Sequence, residues 1–439
     1  MSGRLRRSMT ARIPELLRET AFRRYWSAQT ISMFGDQISS IALPLVAVLA
    51  LHAGPAQMGV LAALVWLPNL LFGLHAGAWV DRRGHRRAMM IIADLGRAAL
   101  LTSIPVCYLL GVLTLWQLYC VAFAVGAFGV LFTVSNPTLF VALVPEDKYV
   151  TGNSLIYGSR ALSFVGGPSV GGVLAQLLTA PGAVLADALS FIGSAFFLAR
   201  IRPAEPPTAD KGDGSLLAGA KFIKSSPVVR SSLMSVSVIN FFNFVFFALL
   251  VLYATRSLHV QPGVLGLVLG VGAVGSVLGA MVTSRLADRF GAGRVYVIGC
   301  LLFTAPIALV PAAAGPRPVI LAMLMACEFI AGFGVMALDI TIGAIFAVVI
   351  PNELRSRVSG AFQAVNYGTR PLGGLTGGLL GTLIGTRTTL WIAAIGGVVG
   401  FLLLLPGPLP KFTMPKPSEA ETQPVADAAG LTPAEHPAA

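Results

Sequence analysis

The sequence predicts an all-α integral membrane protein with twelve transmembrane helices in two pseudo-symmetric six-helix bundles. Three observations predict it. Apolar residues make up 55% of the 439 and charged residues only 11%, with a mean hydropathy of +0.79, where soluble domains carry about 25% charged residues. Twelve apolar runs offer the ~20 residues that a bilayer span requires. The chain also repeats itself: an offset of 207 carries Asp81 onto Asp288 and Gly59 onto Gly266, and an offset of 206 carries Gly171-Gly172 onto Gly377-Gly378. A polar turn recurring at one offset between membrane-length runs marks a duplicated bundle. Hydrocarbon leaves no partner for an open strand edge, so the runs are helices.

The elements follow in chain order. Residues 1–23 are a charged, cytoplasmic N-terminal arm in which Ile13, Leu16, Leu17 and Phe22 alternate with Arg and Glu, as in an interfacial helix; no cleavable signal peptide is expected there. Runs at 24–51, 57–80, 88–112, 116–144, 152–179 and 182–200 build the first bundle, residues 24–200. Residues 201–229, rich in Pro, Gly and charge near Arg202, read as a cytoplasmic linker. Runs at 230–254, 263–287, 294–314, 318–350, 357–384 and 389–407 build the second bundle, residues 230–407. Residues 408–439 are Pro- and Ala-rich with little to bury and are expected to be a disordered cytoplasmic tail.

The net charge of +12 is a topology signal, with some attraction to anionic lipid, and not a nucleic-acid footprint. Of the 31 Lys and Arg, only Arg256, Arg317 and Arg387 fall in the loops opposite the termini, and Arg97, Arg160 and Arg370 fall inside spans. The rest lie on the side of the termini, which the positive-inside rule makes cytoplasmic. The four cysteines all sit in apolar runs and the five histidines are scattered, so neither a disulfide framework nor a metal site is expected. No Gly-Lys dipeptide occurs, which excludes the usual phosphate-binding loop; Asp-Asp-x-x-Asp and His-Glu-x-x-His are missing, and Gly-x-Ser-x-Gly occurs only as Gly167-Pro168-Ser169-Val170-Gly171, inside an apolar run and not at a strand-to-helix turn. No cofactor and no enzyme activity are expected.

Two motifs stand out. Gly77 closes the second run, and Asp81, Arg82, Arg83, Gly84, Arg86 and Arg87 follow in a Gly-x-x-x-Asp-Arg-x-Gly-x-Arg order. A carboxylate there can meet a helix N-terminus or an Arg of the other half and latch one side shut; the arginines alone also serve topology. The copy keeps Asp288, Arg289, Gly291 and Arg294 but has Ser284 for the leading Gly. The fifth run carries Gly167-Pro168-Ser-Val-Gly171-Gly172, where small residues permit close packing and the proline a kink.

The first motif resembles the signature loop between helices two and three of the major facilitator superfamily, and the second resembles the motif of its proton-coupled exporters. With Gly35-Asp36-Gln37 and Ala186-Asp187-Ala-Leu-Ser-Phe191, the chain is most similar to the branch holding enterobactin exporters and macrolide-efflux proteins. The resemblance implies two bundles rocking about a central cavity, with the signature loop controlling the closed state. Many proton-coupled members also carry an Arg in the fourth helix; residues 116–144 hold no charge here.

Charges within spans mark the candidate cavity, because a charge at mid-bilayer costs about 2.5–3.5 kcal/mol on insertion scales and must pair, neutralise or line water. Gln29, Ser32, Asp36 and Ser40 share one stripe of the first span, and the repeat partner of Asp36 is Asn243, near Asn240. Asp36 is read as a proton-coupling group, with a structural aspartate bonded between helices as the alternative. Glu328 and Asp339, three turns apart, place a polar groove along the tenth span; interhelical ion pairing is the other reading of each. Tyr157 and Arg160 on the fifth span, and Asn366 and Arg370 on the eleventh, follow the same stripe logic. The two arginines are positioned to meet an anionic substrate or to neutralise Asp36 and Glu328. Asp94 and Arg97, three apart, read as an intrahelical pair, and Asp187 as structural.

These readings converge on a secondary transporter, a proton-coupled antiporter exporting a small amphipathic molecule such as a drug, antibiotic or siderophore, working as a monomer in a bacterial plasma membrane. The alternatives are a symporter or uniporter importing a nutrient and, in a different class, a polytopic sensor or enzyme.

Overall fold

A computed structural model describes residues 15–83, 85–202 and 216–414, and within them the chain is helical with no strand. Twelve long helices carry the fold. The first six are α1 (Thr20–Ala50), α2 (Pro55–Arg83), α3 (Arg86–Leu109), α4 (Leu115–Leu143), α5 (Tyr149–Leu178) and α6 (Ala180–Ala199). The second six are α7 (Pro227–Arg256), α8 (Pro262–Phe290), α9 (Ala292–Ala312), α10 (Arg317–Val349), α11 (Arg355–Leu383) and α12 (Thr386–Leu402). Ten are long and apolar enough to cross a membrane by composition alone. The other two are α11, diluted by Arg355, Arg357 and Arg370, and α12, of 17 residues. Several helices run past their apolar cores, because polar end residues still satisfy the backbone ladder; α2 continues to Arg83 and α8 to Phe290.

Four expectations change at the ends of the bundles. Leu16 and Phe22 of the arm are fully buried in the first bundle, packed with Tyr25 and Phe140, and do not lie on a lipid surface. The linker contains a helix, Leu216–Ser225, whose Phe222 and Ile223 join the core of the second bundle. α12 ends at Leu402, short of residue 407. The tail does not begin as disordered chain: Leu409 is fully buried and Gly293 N–H donates to the Phe412 carbonyl at 3.4 Å, so residues 409–412 clamp the start of α9. Residues 1–14, 203–215 and 415–439 of the arm, linker and tail lie outside the described residues.

The duplication is written in the packing. In the first bundle α1 lies on α5 and α6, α2 on α4, and α3 on α4 and α6; the second repeats each pairing with α7 on α11 and α12, α8 on α10, and α9 on α10 and α12. Backbone geometry repeats as well. His52 and His259 both adopt left-handed φ, +52° and +53°, at equivalent turns, and Thr179 (+89°) stands where the other half has Gly385 (+88°).

The bundles touch at one end. α2 meets α11, and α5 meets α8. A Cβ on Gly59 would lie 2.6 Å from the Gly374 carbonyl oxygen and 2.6 Å from the Gly378 Cα; one on Gly172 would lie 2.5 Å from the Pro262 carbonyl oxygen and 2.8 Å from the Gly266 Cα. The residues that first marked the repeat are therefore the seam itself. Lipid supplies little drive for helix association, so backbones must come this close for dispersion to hold them. Hydrogen bonds add to the seam: Gly263 N–H to Gln176 Oε1 at 3.0 Å, Ser169 Oγ to the Gly266 carbonyl at 3.3 Å, and Arg256 Nη2 to the Val48 carbonyl at 3.4 Å. One apolar core bridges both bundles at this end, remote from the termini. Toward the termini the cores separate, one per bundle, and the space between them is open.

Candidate functional site

α1, α3 and α6 bring four charged groups together at the open space. Arg97 of α3 is buried, with Nη1 3.5 Å from Asp36 Oδ1 and Nη2 bonded to Asp94 Oδ1 one turn back. Its guanidinium lies over Phe191 at 3.9 Å and Phe132 at 4.7 Å. Asp94 is fully buried, whereas the Asp36 side chain is 51% exposed. Asp36 is thus the carboxylate of the group that the open space reaches. Asp187 is buried beside it; its Oδ2 accepts from Ser39, and its Oδ1 accepts from Ser190 at 3.1 Å. Three carboxyl groups surround one guanidinium, and Asp94 Oδ2 and Arg97 Nε have no hydrogen-bond partner among the described residues. So unbalanced a cluster must pair, be neutralised or meet water to be tolerated at this depth.

The stripe on α1 divides between core and cavity. Gln29 is buried and donates to Asn136 Oδ1 at 2.6 Å, an acceptor it shares with Tyr25. Ser32 is also buried, while Asp36 and Ser40 face out. Asn243 in the second bundle is buried rather than open, and Asn240 Nδ2 donates to its own helix, to the Val236 carbonyl at 3.0 Å. Asp187 was legible only as a structural residue, because its proximity to Asp36 depends on how α6 rotates against α1.

On α10 the structure narrows the expected groove. Glu328, Gly332 and Met336 pack against the glycine stripe of α8, where a Cβ on Gly272 would lie 3.2 Å from Glu328 Oε2 and one on Gly279 3.1 Å from Met336 Cβ. The glycines let α8 come near, and Glu328, Gly332 and Met336 are left half-buried beside it. Asp339, nearer the terminal end, remains exposed, as do Tyr157 and Arg160 on α5; Arg160 lies 5.8 Å over Phe164.

Arg370 lies midway along α11 among aromatic rings: Trp66 at 4.1 Å, Tyr367 at 4.8 Å and Phe244 at 5.2 Å. Its Nη2 donates to Asn366 Oδ1 at 3.4 Å. Trp66 comes from the first bundle and the others from the second, so this cage crosses the seam. The rings carried no signal in the sequence, since a lone Trp in an apolar run reads as packing.

The motif residues are seam and turn elements. Gly167 and Gly171 press α5 on α1 at Gln37 and Ile38, and the Pro168 carbonyl and Gly172 meet Gly266 of α8. Gly77 is in α2, and the side chains of Asp81 and Arg82, like Gly84, lie outside the described residues. Arg86 is buried at the start of α3. In the copy, Gly291 ends α8 at φ +90°, where a side chain would be strained. Asp288 and Gly291 line a cavity of about 660 Å³ under residues 410–414, and Arg289 lies 5.3 Å over Phe290. Among the described residues no three His, Cys, Asp or Glu side chains gather as a metal would need.

Two bundles of six helices, joined at one end by a pseudo-symmetric seam and open at the other around buried charge, define a transporter of the major facilitator type. Residues 14–429 match the transmembrane secretion effector family, and the chain belongs to that family of major facilitator transporters. It is similar to the uncharacterised MFS-type transporter YfiS of Bacillus subtilis, 28% identical over 386 residues, covering 82% of this chain and 86% of that one. It is also similar to the multidrug efflux pump Tap of Mycolicibacterium fortuitum, 27% identical over 375 residues and covering 81% and 88%. The multi-drug resistance efflux pump PmrA homologue of Lactococcus lactis is 27% identical over 350 residues, covering 75% and 79%. Among solved structures, the nucleoside transporter NupG superposes with a TM-score of 0.71 at 14% identity, covering 88% of this chain and 98% of that one. A bacterial homologue of the iron transporter ferroportin, in its inward-facing state, gives 0.69 at 16%, covering 88% and 98%. At such identities the likeness is one of fold. The protein is a multi-pass membrane transporter with a small-molecule substrate.

Proposed function

We propose that this chain is a proton-driven antiporter that exports small amphipathic molecules from a bacterial cytoplasm, acting as a monomer. The observation that carries the reading is Asp36: a carboxylate open to the cavity and 3.5 Å from a buried arginine that a second acid already holds. A proton on Asp36 and an ion pair to Arg97 are mutually exclusive, so protonation and the charge distribution of the first bundle are linked. Arg97, on α3, supplies the charge that comparable transporters place on the fourth helix. The likeness to proteins named multidrug efflux pumps supports export.

The basic bias toward the terminal side supports cytoplasmic termini, which makes the open end cytoplasmic and this state inward-open. The gate at that end is assigned to the Asp81 loop and its Asp288 copy. Asp339 and Arg160, exposed on opposite bundles near the opening, are assigned to the path that cargo or protons take.

The test is efflux from inverted membrane vesicles with an imposed pH gradient. Substrate movement is expected to follow the gradient in the wild type and to lose that dependence in Asp36→Asn at unchanged protein level. Unaltered coupling in Asp36→Asn removes Asp36 from the mechanism; net accumulation in whole cells overturns export.

A further inference from the structure

Arg370, half-buried, differs from Arg97, the buried arginine of the first bundle's cluster. Arg97 has two carboxylates within reach, but Arg370 makes no ion pair among the described residues, and its Nε has no hydrogen-bond partner. Glu328 and Asp339 do not serve it. Their helix, α10, packs on α8 and α9, whereas α11 packs on α2 and α7. What surrounds the guanidinium is aromatic: the faces of Trp66, Tyr367 and Phe244, with Trp66 and Tyr367 nearly parallel at 21°. Ring faces offset part of the cost of burying a guanidinium but accept few of its five N–H donors. The fork of donors that suits a carboxylate or phosphate is left largely unspent.

The position matters as much as the chemistry. Arg370 lies one to two turns from Gly374 and Gly378, which form the seam with Gly59, so the cage is at the closed apex of the open space. Trp66 belongs to the opposite bundle. Parting the seam would strip one ring from the guanidinium, so whatever occupies the cage is tied to the movement of the bundles.

We propose that Arg370 and its aromatic cage form the cargo site, and that the cargo is an organic anion: a carboxylate or phosphate held by the guanidinium fork, on a flat apolar body stacked against Trp66 and Phe244. This rests on the exporter reading for the word cargo, but the binding it describes needs no gradient. At mid-span depth, no lipid headgroup reaches the site.

The test is calorimetric titration of the full-length protein in lipid nanodiscs with three probes of one shape: naphthoate, naphthylmethylammonium and naphthalenemethanol. Naphthoate is expected to bind about tenfold tighter than the cation, the scale of one charge-assisted bidentate contact. Arg370→Gln is expected to erase that preference, and Arg370→Lys to keep it with weaker binding. Asn366→Asp supplies a carboxylate beside the guanidinium without removing it, and is expected to erase the preference in a protein whose cage is intact, which covers the case in which Arg370→Gln does not fold. Equal or tighter binding of the cation by the wild type, or an undiminished preference in Asn366→Asp, overturns the proposal. Loss of pH-driven efflux with the naphthoate preference retained would instead sink the exporter reading and leave the anion site standing.

Discussion

Arg97 touches Asp36, Asp94, Phe132 and Phe191 at once. The two acids play different parts because of where they lie. Asp94 is fully buried on the same helix and neutralises the guanidinium; Asp36 is reached from the open space and competes for it. Removing the cation alone strands Asp94. Arg97→Met is therefore expected to destabilise the purified protein by about 3–5 kcal/mol, the usual consequence of breaking a buried pair from one side. The double variant Asp94→Asn, Arg97→Met is expected to recover much of that loss in thermal unfolding. A single variant as stable as wild type would show that Asp94 is not held by Arg97. The intrahelical spacing of this pair could be read from the chain. That Asp36 and Asp187 come to the same place could not, since it requires α1 and α6 to meet along particular faces.

At the scale of elements, the paired turns show one geometry achieved with unequal residues. Thr179 begins α6 at φ +89° and ψ 158°, a region suited to glycine, and its counterpart before α12 is Gly385 at +88°. Such strain amounts to about 1–3 kcal/mol. Thr179 also caps α6, its Oγ1 accepting from Gly182 N–H at 3.4 Å, but glycine at an N-cap forfeits only a few tenths of a kcal/mol. Thr179→Gly is expected to raise the melting temperature, with a net gain of about 1 kcal/mol; a lower melting temperature would mean that the cap outweighs the strain. Packing of elements also explains the fate of Glu328. Its three-turn spacing from Asp339 was visible, but the glycine stripe on α8 reads as generic small-residue content until the partner helix is in place.

The whole molecule is governed by which end of the two bundles is shut. Gly59 with Gly378, and Gly172 with Gly266, are the two halves of one seam. A side chain at Gly266 would meet the Pro168 carbonyl, which cannot yield as a flexible tip would. Gly266→Leu is expected to wedge this end apart and to shift the population toward the opposite opening. Spin labels at Leu110 and Leu383, exposed at the seam end, should then move apart. Labels at Val150 and Asn352, near the open end, should draw together. Unchanged distances in both pairs would show that the glycine contact does not set the resting state.

The chain alone determined the number of spans, the duplication, and the residues too polar to face lipid, because each depends on composition or spacing along the chain. It also marked Gly59, Gly172, Gly266 and Gly378, although as signs of repetition and not as the seam. Tertiary structure decided which of those polar residues share a site: it gathered Asp187 with Asp36 and Arg97, gave Arg370 its aromatic cage, buried Asn243, and drew α8 against Glu328. The reason is rotational. Hydropathy says that a helix crosses the bilayer but hardly which way it turns once there, since lipid and protein interior are similarly apolar. Small residues on sequence-distant helices set that rotation, and the site follows from it.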